Sequence, residues 1–244
     1  MRIIAGVWRG RTLVAPAGQG TRPTADRVRQ ALFDMLMHAE WGGRAVVEGA
    51  VVLDVFAGTG ALGLEALSRG AASACFIESD ATALRALRAN VVACRAEGRT
   101  EILAVDALSV PTMACSGKSR RGVMDSAKPG IPGPILRRAP SRLPMTDGGA
   151  RVVGPSAVPA RMAGTRTARM ASLSGAPASL VFLDPPYGQN LVPRALAKLR
   201  EMGRVGPDAL TVAETGRDET WQPDQPLLAE RQHGAARILI FRTA

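Results

Sequence analysis

The feature that most constrains the fold of this chain is the stretch VLDVFAGTGALG, residues 52–63. Its glycines Gly58, Gly60 and Gly63 form the pattern G-x-G-x-x-G directly after a short apolar run. This pattern is typical of a strand, a tight turn and a helix whose first N–H groups face an anion. It predicts an α/β fold with a cofactor site for an adenosine derivative, and it leaves nicotinamide cofactors and S-adenosylmethionine both open.

Segments of strand and helix character alternate along much of the chain. Apolar runs rich in branched or aromatic residues predict strands over 51–57, 74–79, 101–107, 180–186, 209–215 and 236–242. Two segments with apolar residues at helical spacing, 61–70 and 81–98, each end at a glycine. Such alternation predicts a mostly parallel sheet with helices on both faces. Ligands bind such sheets beyond the carboxyl ends of the strands, where strand order reverses.

The first 45 residues differ in character from the rest. Residues 2–16 predict a small hairpin. Residues 24–38 predict a helix with Thr24 as its N-cap. One face of this helix is apolar and carries Val28, Leu32, Met35 and Leu36.

The positive charge is concentrated in one segment. The sequence has 31 Lys and Arg against 21 Asp and Glu, and a net charge of +10 suits a polyanionic partner such as nucleic acid. Residues 107–178 hold 11 of these basic residues but only two acidic ones, with nine glycines and nine prolines. Their sparse apolar residues cannot offset about 1–2 kcal/mol of backbone entropy per ordered residue. We predict a disordered insertion over 108–178, either neutral or acting as an arm that grips RNA.

The cysteines and the hydropathy pattern indicate a compartment. Cys75, Cys94 and Cys115 form no C-x-x-C pair, which favours a reducing environment and suggests no structural metal. Arginines interrupt the apolar residues near the N-terminus, and no run reaches the roughly 18 apolar residues of a membrane span. We expect a cytoplasmic protein without a membrane segment, and nothing in the sequence suggests more than a monomer.

Acidic residues near the ends of the predicted strands bear on the choice of cofactor. Glu78 lies 20 residues after Gly58, a spacing at which a carboxylate binds the ribose of either cofactor. Asp106 either meets an adenine amino group or belongs to a surface turn. Asp54 places a negative charge beside the glycine loop, which favours a cationic sulfonium over a pyrophosphate. The alternative is that Asp54 caps the loop amides.

The tetrapeptide Asp184-Pro185-Pro186-Tyr187 follows the fourth predicted strand. Its two prolines remove backbone donors and fix φ, so the chain leaves the strand rigidly with its carbonyls exposed. A nucleobase amino group is a poor nucleophile because its lone pair is delocalised into the ring. Hydrogen bonds to the Asp184 carboxylate and the Pro185 carbonyl would free that lone pair, while Tyr187 stacks on the base. This chemistry favours S-adenosylmethionine as the cofactor.

Together these motifs resemble a known family. DVFAGTGALGLEALSRG and FLDPPY are similar to class I S-adenosylmethionine-dependent methyltransferases that act on amino nitrogens. With IIAGVWRGRTL and RPTADRVRQALF, the chain resembles the bacterial 16S rRNA guanine-N2 methyltransferases of the RsmD type over residues 2–107 and 179–244. The resemblance implies a seven-stranded Rossmann-like sheet. It also implies methylation of guanine 966 of 16S rRNA, and it leaves open whether the substrate is the free 16S rRNA, the 30S subunit or an assembly intermediate. The basic insertion departs from the family pattern and leaves the approach of the substrate open.

The resemblance also implies roles for particular residues. The cofactor contacts are Asp54, Phe56, Gly58, Gly60, Glu78 and Asp106, and the catalytic turn is Asp184, Pro185, Pro186 and Tyr187. The implied division is an RNA-binding extension over 1–45, a cofactor half over 46–107, the insertion over 108–178 and a catalytic half over 179–244. The candidate ligands of rRNA phosphates in the extension are Arg9, Arg11, Arg22, Arg27 and Arg29.

Three alternative functions stay open at this level. An adenine-N6 or cytosine-N4 DNA methyltransferase uses the same proline turn, although no target-recognition domain is obvious. A nicotinamide oxidoreductase explains the glycines and leaves the proline turn without a role. A non-catalytic RNA-binding assembly factor would keep the fold without turnover. Methylation at a pyrimidine C5 is disfavoured because it needs a cysteine nucleophile in the site, and Cys75 and Cys94 fall within a predicted strand and helix.

Overall fold

The computed structural model describes residues 1–15, 23–112 and 175–244. The predicted insertion falls mainly on 113–174, and Arg22 falls on 16–22, so both of these predictions lie outside the described residues. The described helices are α1 (Pro23–His38), α2 (Ala61–Ser68), α3 (Ala81–Ala93) and α4 (Leu191–Glu201). The described strands are β1 (Val51–Val55), β2 (Ser73–Glu78), β3 (Thr100–Ala104), β4 (Ala178–Leu183), β5 (Val205–Gly216), β6 (Leu227–His233) and β7 (Ala236–Arg242).

The seven strands form one sheet in the order β3-β2-β1-β4-β5-β7-β6. The first five strands in this order are parallel, and β7 and β6 pair antiparallel at the other end. The direction of strand progression reverses between β1 and β4, where Val55 is paired with Leu183. The carboxyl ends of these two strands are therefore neighbours at the position where such sheets bind ligands. The predicted seven-stranded, mostly parallel fold is confirmed.

Helices cover both faces of the sheet, as predicted. Alternate strand residues point to opposite faces: Val52 and Phe182 pack with α1, α2 and α3, whereas Val55 and Leu183 pack with α4 and the turn Ala107–Ser109. On α1, Leu32 and Leu36 are buried, and the predicted apolar face of this helix lies against the first of these cores. The core strands are buried on both sides, which explains their nearly continuous apolar sequences.

The N-terminal hairpin is present and is anchored on α2. Arg2 and Thr12 form an antiparallel bridge. The fully buried Glu65 of α2 accepts hydrogen bonds from the backbone N–H groups of Ile4, at 2.8 Å, and Ala5, at 3.0 Å. A buried carboxylate needs such donors, so Glu65 fixes the hairpin against the helix that follows the glycine loop.

Two details of the sequence interpretation were wrong. Helix α1 begins at Pro23, so Thr24 lies inside the helix and is not its N-cap; proline is favoured in the first turn of a helix. The strand β6 was not predicted, because its residues are all at least partly exposed and four of the seven are polar. Its pairing with β7 at the edge of the sheet, rather than its own hydrophobicity, makes it a strand.

Among the described residues, no helix combines the length and apolarity needed to cross a membrane.

Candidate active site

Four carboxylates meet along the side of the sheet that is formed by the carboxyl ends of its parallel strands, which we call the catalytic edge. Asp54, Glu78, Asp184 and Glu214 come from β1, β2, the end of β4 and β5, and these strands are parallel neighbours. The charges of Asp184 and Glu78 both act on Asp54, and the charge of Glu214 acts on Asp184. A concentration of negative charge of this kind favours a cationic ligand over a pyrophosphate.

The glycine loop joins β1 to α2 at this edge. Gly58 adopts a φ of 55°, and a Cβ placed on it would meet no atom within 4 Å, so the loop is open on that side. A Cβ on Gly63 would lie 2.4 Å from a ring carbon of Phe76, so this glycine allows α2 to pack closely on β2. Phe56 holds a left-handed φ of 60° beside the loop, a strained conformation that is typical of functional sites.

Asp54 is buried and caps the helix after the loop. Its Oδ2 accepts a hydrogen bond of 2.8 Å from the backbone N–H of Gly63, which is the capping role that the sequence left open. Burial is the main cause that raises the pKa of Asp54 to about 8; the bond from Gly63 lowers it, while the charges of Asp184 and Glu78 raise it further. A cationic ligand beside this carboxyl would favour its charged form.

Glu78 and Asp106 also hold backbone groups. Glu78 accepts hydrogen bonds from the N–H groups of Gly58, at 2.7 Å, Ser79, at 2.7 Å, and Asp80, at 2.8 Å. Asp106 caps the turn Ala107–Ser109 by accepting from the N–H of Leu108 at 2.7 Å. Both carboxylates therefore shape the loops at the cofactor end of the edge, and a ribose or an adenine would have to share them.

The proline turn follows β4 next to the end of β1. The backbone N–H of Asp184 points to the carbonyl of Val55 at 3.4 Å. Pro185 is buried, whereas Tyr187 is 42% exposed and donates its hydroxyl hydrogen to Oε1 of Glu214. Although the Asp184 side chain still reaches solvent, desolvation by the pocket, followed by the charge of Glu214, raises its pKa. Desolvation and the bond to Glu214 likewise raise the pKa of Tyr187.

A cavity of about 560 Å³ opens beside this turn. Its walls come from α1, the start of α2, the ends of β4 and β5, and the hairpin between β6 and β7. The polar side chains in these walls belong to Arg29, Asp184, Tyr187, Glu214 and His233. Sequence reasoning missed Glu214 and His233: the only signal for Glu214 was its place near the end of a predicted strand, and His233 lies on the strand that was missed. The volume is large enough for a nucleobase.

The arginines that were predicted to bind phosphates differ in their exposure. Arg9, Arg11 and Arg27 are exposed, and Arg11 donates to the carbonyl of Ala93 at the end of α3. The expectation that Arg29 is a surface ligand is wrong in this respect. Arg29 is only 5% exposed and pairs with Asp26 at 2.9 Å, so it is not available to a phosphate outside the protein.

The described cysteines lie away from the catalytic edge. Cys75 lies in the middle of β2. Its burial, and to a smaller extent the charge of the nearby Glu101, raises the pKa of its thiol to about 12. Cys94 is buried at the end of α3, and burial raises its pKa as well. Neither thiol is poised to form the thiolate that C5 methylation requires.

The parallel sheet with its reversal between β1 and β4, the glycine loop and the proline turn define an α/β fold of the class I methyltransferase type. The sequence comparison gives the particular family. The chain belongs to the family described as conserved hypothetical protein 95, the RsmD family, whose profile matches residues 1–121 and 156–242.

Individual relatives agree with this membership. The ribosomal RNA small subunit methyltransferase D of Haemophilus influenzae is 30% identical over 248 residues, covering 99% of this chain and 93% of the relative. The protein of the same name from Escherichia coli K12 is 31% identical over 215 residues, covering 88% and 74%. Among solved structures, the putative methyltransferase yhhF from Escherichia coli superposes with a TM-score of 0.63 at 28% identity, covering 99% of this chain and 97% of that one.

Proposed function

We propose that this protein transfers a methyl group from S-adenosylmethionine to the exocyclic N2 of a guanine in 16S rRNA. Its substrate is the 30S subunit or an assembly intermediate, and it acts as a monomer in the cytoplasm. One observation carries the proposal: Asp184 of the proline turn lines a base-sized cavity, and Ala61 and Leu62, which directly follow the glycine loop, line the same cavity. The relatives named for methylation of small-subunit ribosomal RNA support the choice of RNA.

The acidic edge fits S-adenosylmethionine better than a nicotinamide cofactor. When bound, this cofactor supplies a methyl group on a cationic sulfonium. Asp54 provides negative charge for the cationic groups, Glu78 provides an acceptor for ribose, and Asp106 provides one for adenine. Gly58 and Gly60 allow the close approach, and Phe56 lies beside them. A pyrophosphate at this edge would meet carboxylates instead of cations, since no Lys or Arg side chain among the described residues pairs with Asp54 or Glu78.

The residues of the proline turn activate and hold the amino group. The carboxylate of Asp184 and the carbonyl of Pro185 accept its two hydrogen bonds, which favours a pyramidal nitrogen with a free lone pair. Pro185 and Pro186 keep these acceptors rigid, and Tyr187 stacks on the base. The raised pKa of Asp184 suits it to take up, at a carboxylate oxygen, the proton that the nitrogen loses. Positioning and electrostatics supply most of the rate enhancement.

The N-terminal extension over 1–45 serves as an RNA-binding element in this proposal. The exposed Arg9, Arg11 and Arg27 contact rRNA phosphates and orient the target base toward the cavity. The sequence also contains Arg22 and the basic residues of 108–178, whose positive charge suits an RNA partner. The remaining divisions are a cofactor half over 46–107 and a catalytic half over 179–244.

The test is methylation of 30S subunits that lack the modification. The protein is incubated with methyl-labelled S-adenosylmethionine and these subunits, and the modified nucleoside is identified by mass spectrometry. We expect N2-methylguanosine at one site of 16S rRNA, with naked 16S rRNA as a parallel substrate to distinguish particle from free RNA. Label on a ring carbon, or no label in RNA, would contradict the proposal. A further incubation with duplex DNA would identify a DNA amino-methyltransferase if that substrate alone were labelled.

A further inference from the structure

The cavity beside the proline turn holds one more acceptor than activation of an amino group requires. Asp184 and the carbonyl of Pro185 already suffice for the two N–H bonds of such a group. Glu214 adds a second carboxylate in the wall of the same cavity, on the neighbouring strand β5. Asp184 and Glu214 both line this cavity, so a ligand that fills it lies against both carboxylates.

Glu214 is held in a defined position. Its backbone pairs with Ile238 of β7 on one side, and β4 flanks the same strand on the other. The hydroxyl of Tyr187 donates to Oε1 of Glu214, which orients the carboxylate and leaves Oε2 able to accept from a ligand. The side chain is half-buried, so a base that fills the cavity would replace its remaining water.

The nucleobases differ in what they offer to two neighbouring carboxylates. Guanine presents three adjacent N–H bonds on its Watson–Crick edge, one on N1 and two on N2. Adenine and cytosine present an amino group next to an unprotonated ring nitrogen, whose lone pair a carboxylate repels. An acceptor opposite that lone pair therefore rejects both bases, while it binds guanine.

We infer that Glu214 is the specificity-determining residue that selects guanine, by accepting the N1–H while Asp184 and Pro185 accept the hydrogens of N2. The inference rests on the proposed function and deepens it. It separates two roles within one cavity: the proline turn provides chemistry that any amino-bearing base can use, and Glu214 restricts that chemistry to one base. A flipped base read along its Watson–Crick edge is the usual mode of such enzymes.

The test compares two bases that both carry the reacting amino group. 30S subunits are reconstituted with 16S rRNA that carries either guanine or 2-aminopurine at the target position. 2-Aminopurine keeps the N2 amino group but has a lone pair on N1 in place of the N1–H. For the wild-type protein we expect kcat/KM to be lower with 2-aminopurine by on the order of 100-fold or more, because a carboxylate is left facing that lone pair.

The variant Glu214→Gln is expected to change this ratio. The amide can donate a hydrogen bond to N1 of 2-aminopurine, so the preference for guanine should fall to about tenfold or less. The matched control is Glu219→Gln, because Glu219 accepts the N–H of Gly188 at 2.6 Å beside the same turn but does not line the cavity. Its ratio should stay at the wild-type value.

The outcomes distinguish the inference from the function on which it rests. If the wild-type protein methylates guanine and 2-aminopurine equally well, or if Glu214→Gln keeps the wild-type ratio, the inference is overturned and the proposed function stands. If the wild-type protein leaves the guanine unmethylated, the proposed function fails and the inference fails with it. Should Glu214→Gln not fold, as judged by its melting curve, the comparison of the two bases with the wild-type protein decides alone.

Discussion

The carboxylates at the two halves of the catalytic edge are held in different ways. At the ends of β1 and β2, Asp54 and Glu78 accept backbone N–H groups of the glycine loop and of the residues that follow β2. At the ends of β4 and β5, Asp184 and Glu214 face a cavity, and no backbone N–H among the described residues donates to their side chains. Within the described part of the chain, the side chain of Glu214 has one hydrogen-bond donor, the hydroxyl of Tyr187.

The first pair of carboxylates therefore helps to form the site, whereas the second pair is available to bind a ligand. The carboxylates of the glycine loop stabilise the loop before any ligand arrives, so a substitution that removes their hydrogen-bond acceptors alters both the stability of the fold and the binding of a cofactor. The carboxylates at the proline turn keep their acceptors for the hydrogen bonds of a substrate, so a change there should alter the reaction and leave the fold intact.

Asp184→Ala should have the largest effect on the reaction. It removes an acceptor of the amino group, and we expect kcat to fall by on the order of 10²–10³-fold. Cofactor affinity should change little, and the melting temperature should stay near the wild-type value, because the side chain holds no backbone group. Single-turnover kinetics, calorimetric titration and a melting curve measure the three quantities. A large loss of stability would show that Asp184 helps to hold the fold together, and it would contradict the difference that we draw between the two pairs of carboxylates.

Asp54→Asn should weaken the binding of the cofactor without destabilising the fold. Asparagine can still accept the hydrogen bond from Gly63, but the negative charge is lost, and we expect the Kd for S-adenosylmethionine to rise about 10–100-fold. Calorimetric titration measures this change. An unchanged Kd would show that the charge of Asp54 does not act on the ligand.

The same substitution should stabilise the free protein at alkaline pH. The pKa of Asp54 is raised from 3.8 to about 8 in the folded protein. The folded state therefore binds more protons than the unfolded state between these values, and the stability contributed by this group falls as the pH rises from about 4 to 8. Asparagine removes this fall, so the difference in melting temperature between variant and wild type should grow from pH 6 to pH 9.

Gly63→Ala should destabilise the protein at the contact between α2 and β2, next to the glycine loop. Its Cβ would lie 2.4 Å from the ring of Phe76 and 3.1 Å from Oδ2 of Asp54, which is overpacking in a buried contact. We expect a loss of about 1–3 kcal/mol in the free energy of unfolding, measured by urea denaturation. Gly98→Ala is the matched control, because a Cβ there meets no atom within 4 Å. Equal losses in the two variants would contradict the close packing of α2 on β2.

The smallest effect is the pH dependence of cofactor binding. A cationic ligand lowers the pKa of Asp54 from about 8, so binding near pH 7 should release a proton. Affinity should then rise between pH 6 and 8, by no more than about tenfold per pH unit. Calorimetry in two buffers with different heats of ionisation measures the proton release. The release should be absent in Asp54→Asn, and its persistence there would assign the proton to another group.

Much of the fold was predictable because its signals are local. The apolar runs that became β1, β2 and β4 are buried on both faces, and such strands are read from consecutive residues. The glycine pattern and the proline turn likewise depend on short stretches in which each residue restricts the backbone directly. The strand β6 was not predictable in this way, since its partly polar sequence forms a strand only through its pairing with β7.

The candidate site was predictable only in part. The sequence indicated that acidic residues follow the strands, but it left two roles of Asp54 open, and the hydrogen bond to Gly63 depends on where α2 packs. Burial of Arg29 among the N-terminal hairpin, α1 and α2 contradicted its expected exposure. The one local signal for Glu214 was its place near the end of a predicted strand. The cavity that it lines has no local signal, because its walls come from segments that are distant in the chain.

The sequence by itself therefore determined the class of fold, the position of the glycine loop and the acceptors of the proline turn, because these follow from backbone restrictions within a few residues. Only the tertiary structure decided which carboxylates are bound by the backbone and which face a ligand. That distinction depends on the order of the strands, on burial and on the distances between side chains far apart in the chain, and no short stretch of sequence contains it.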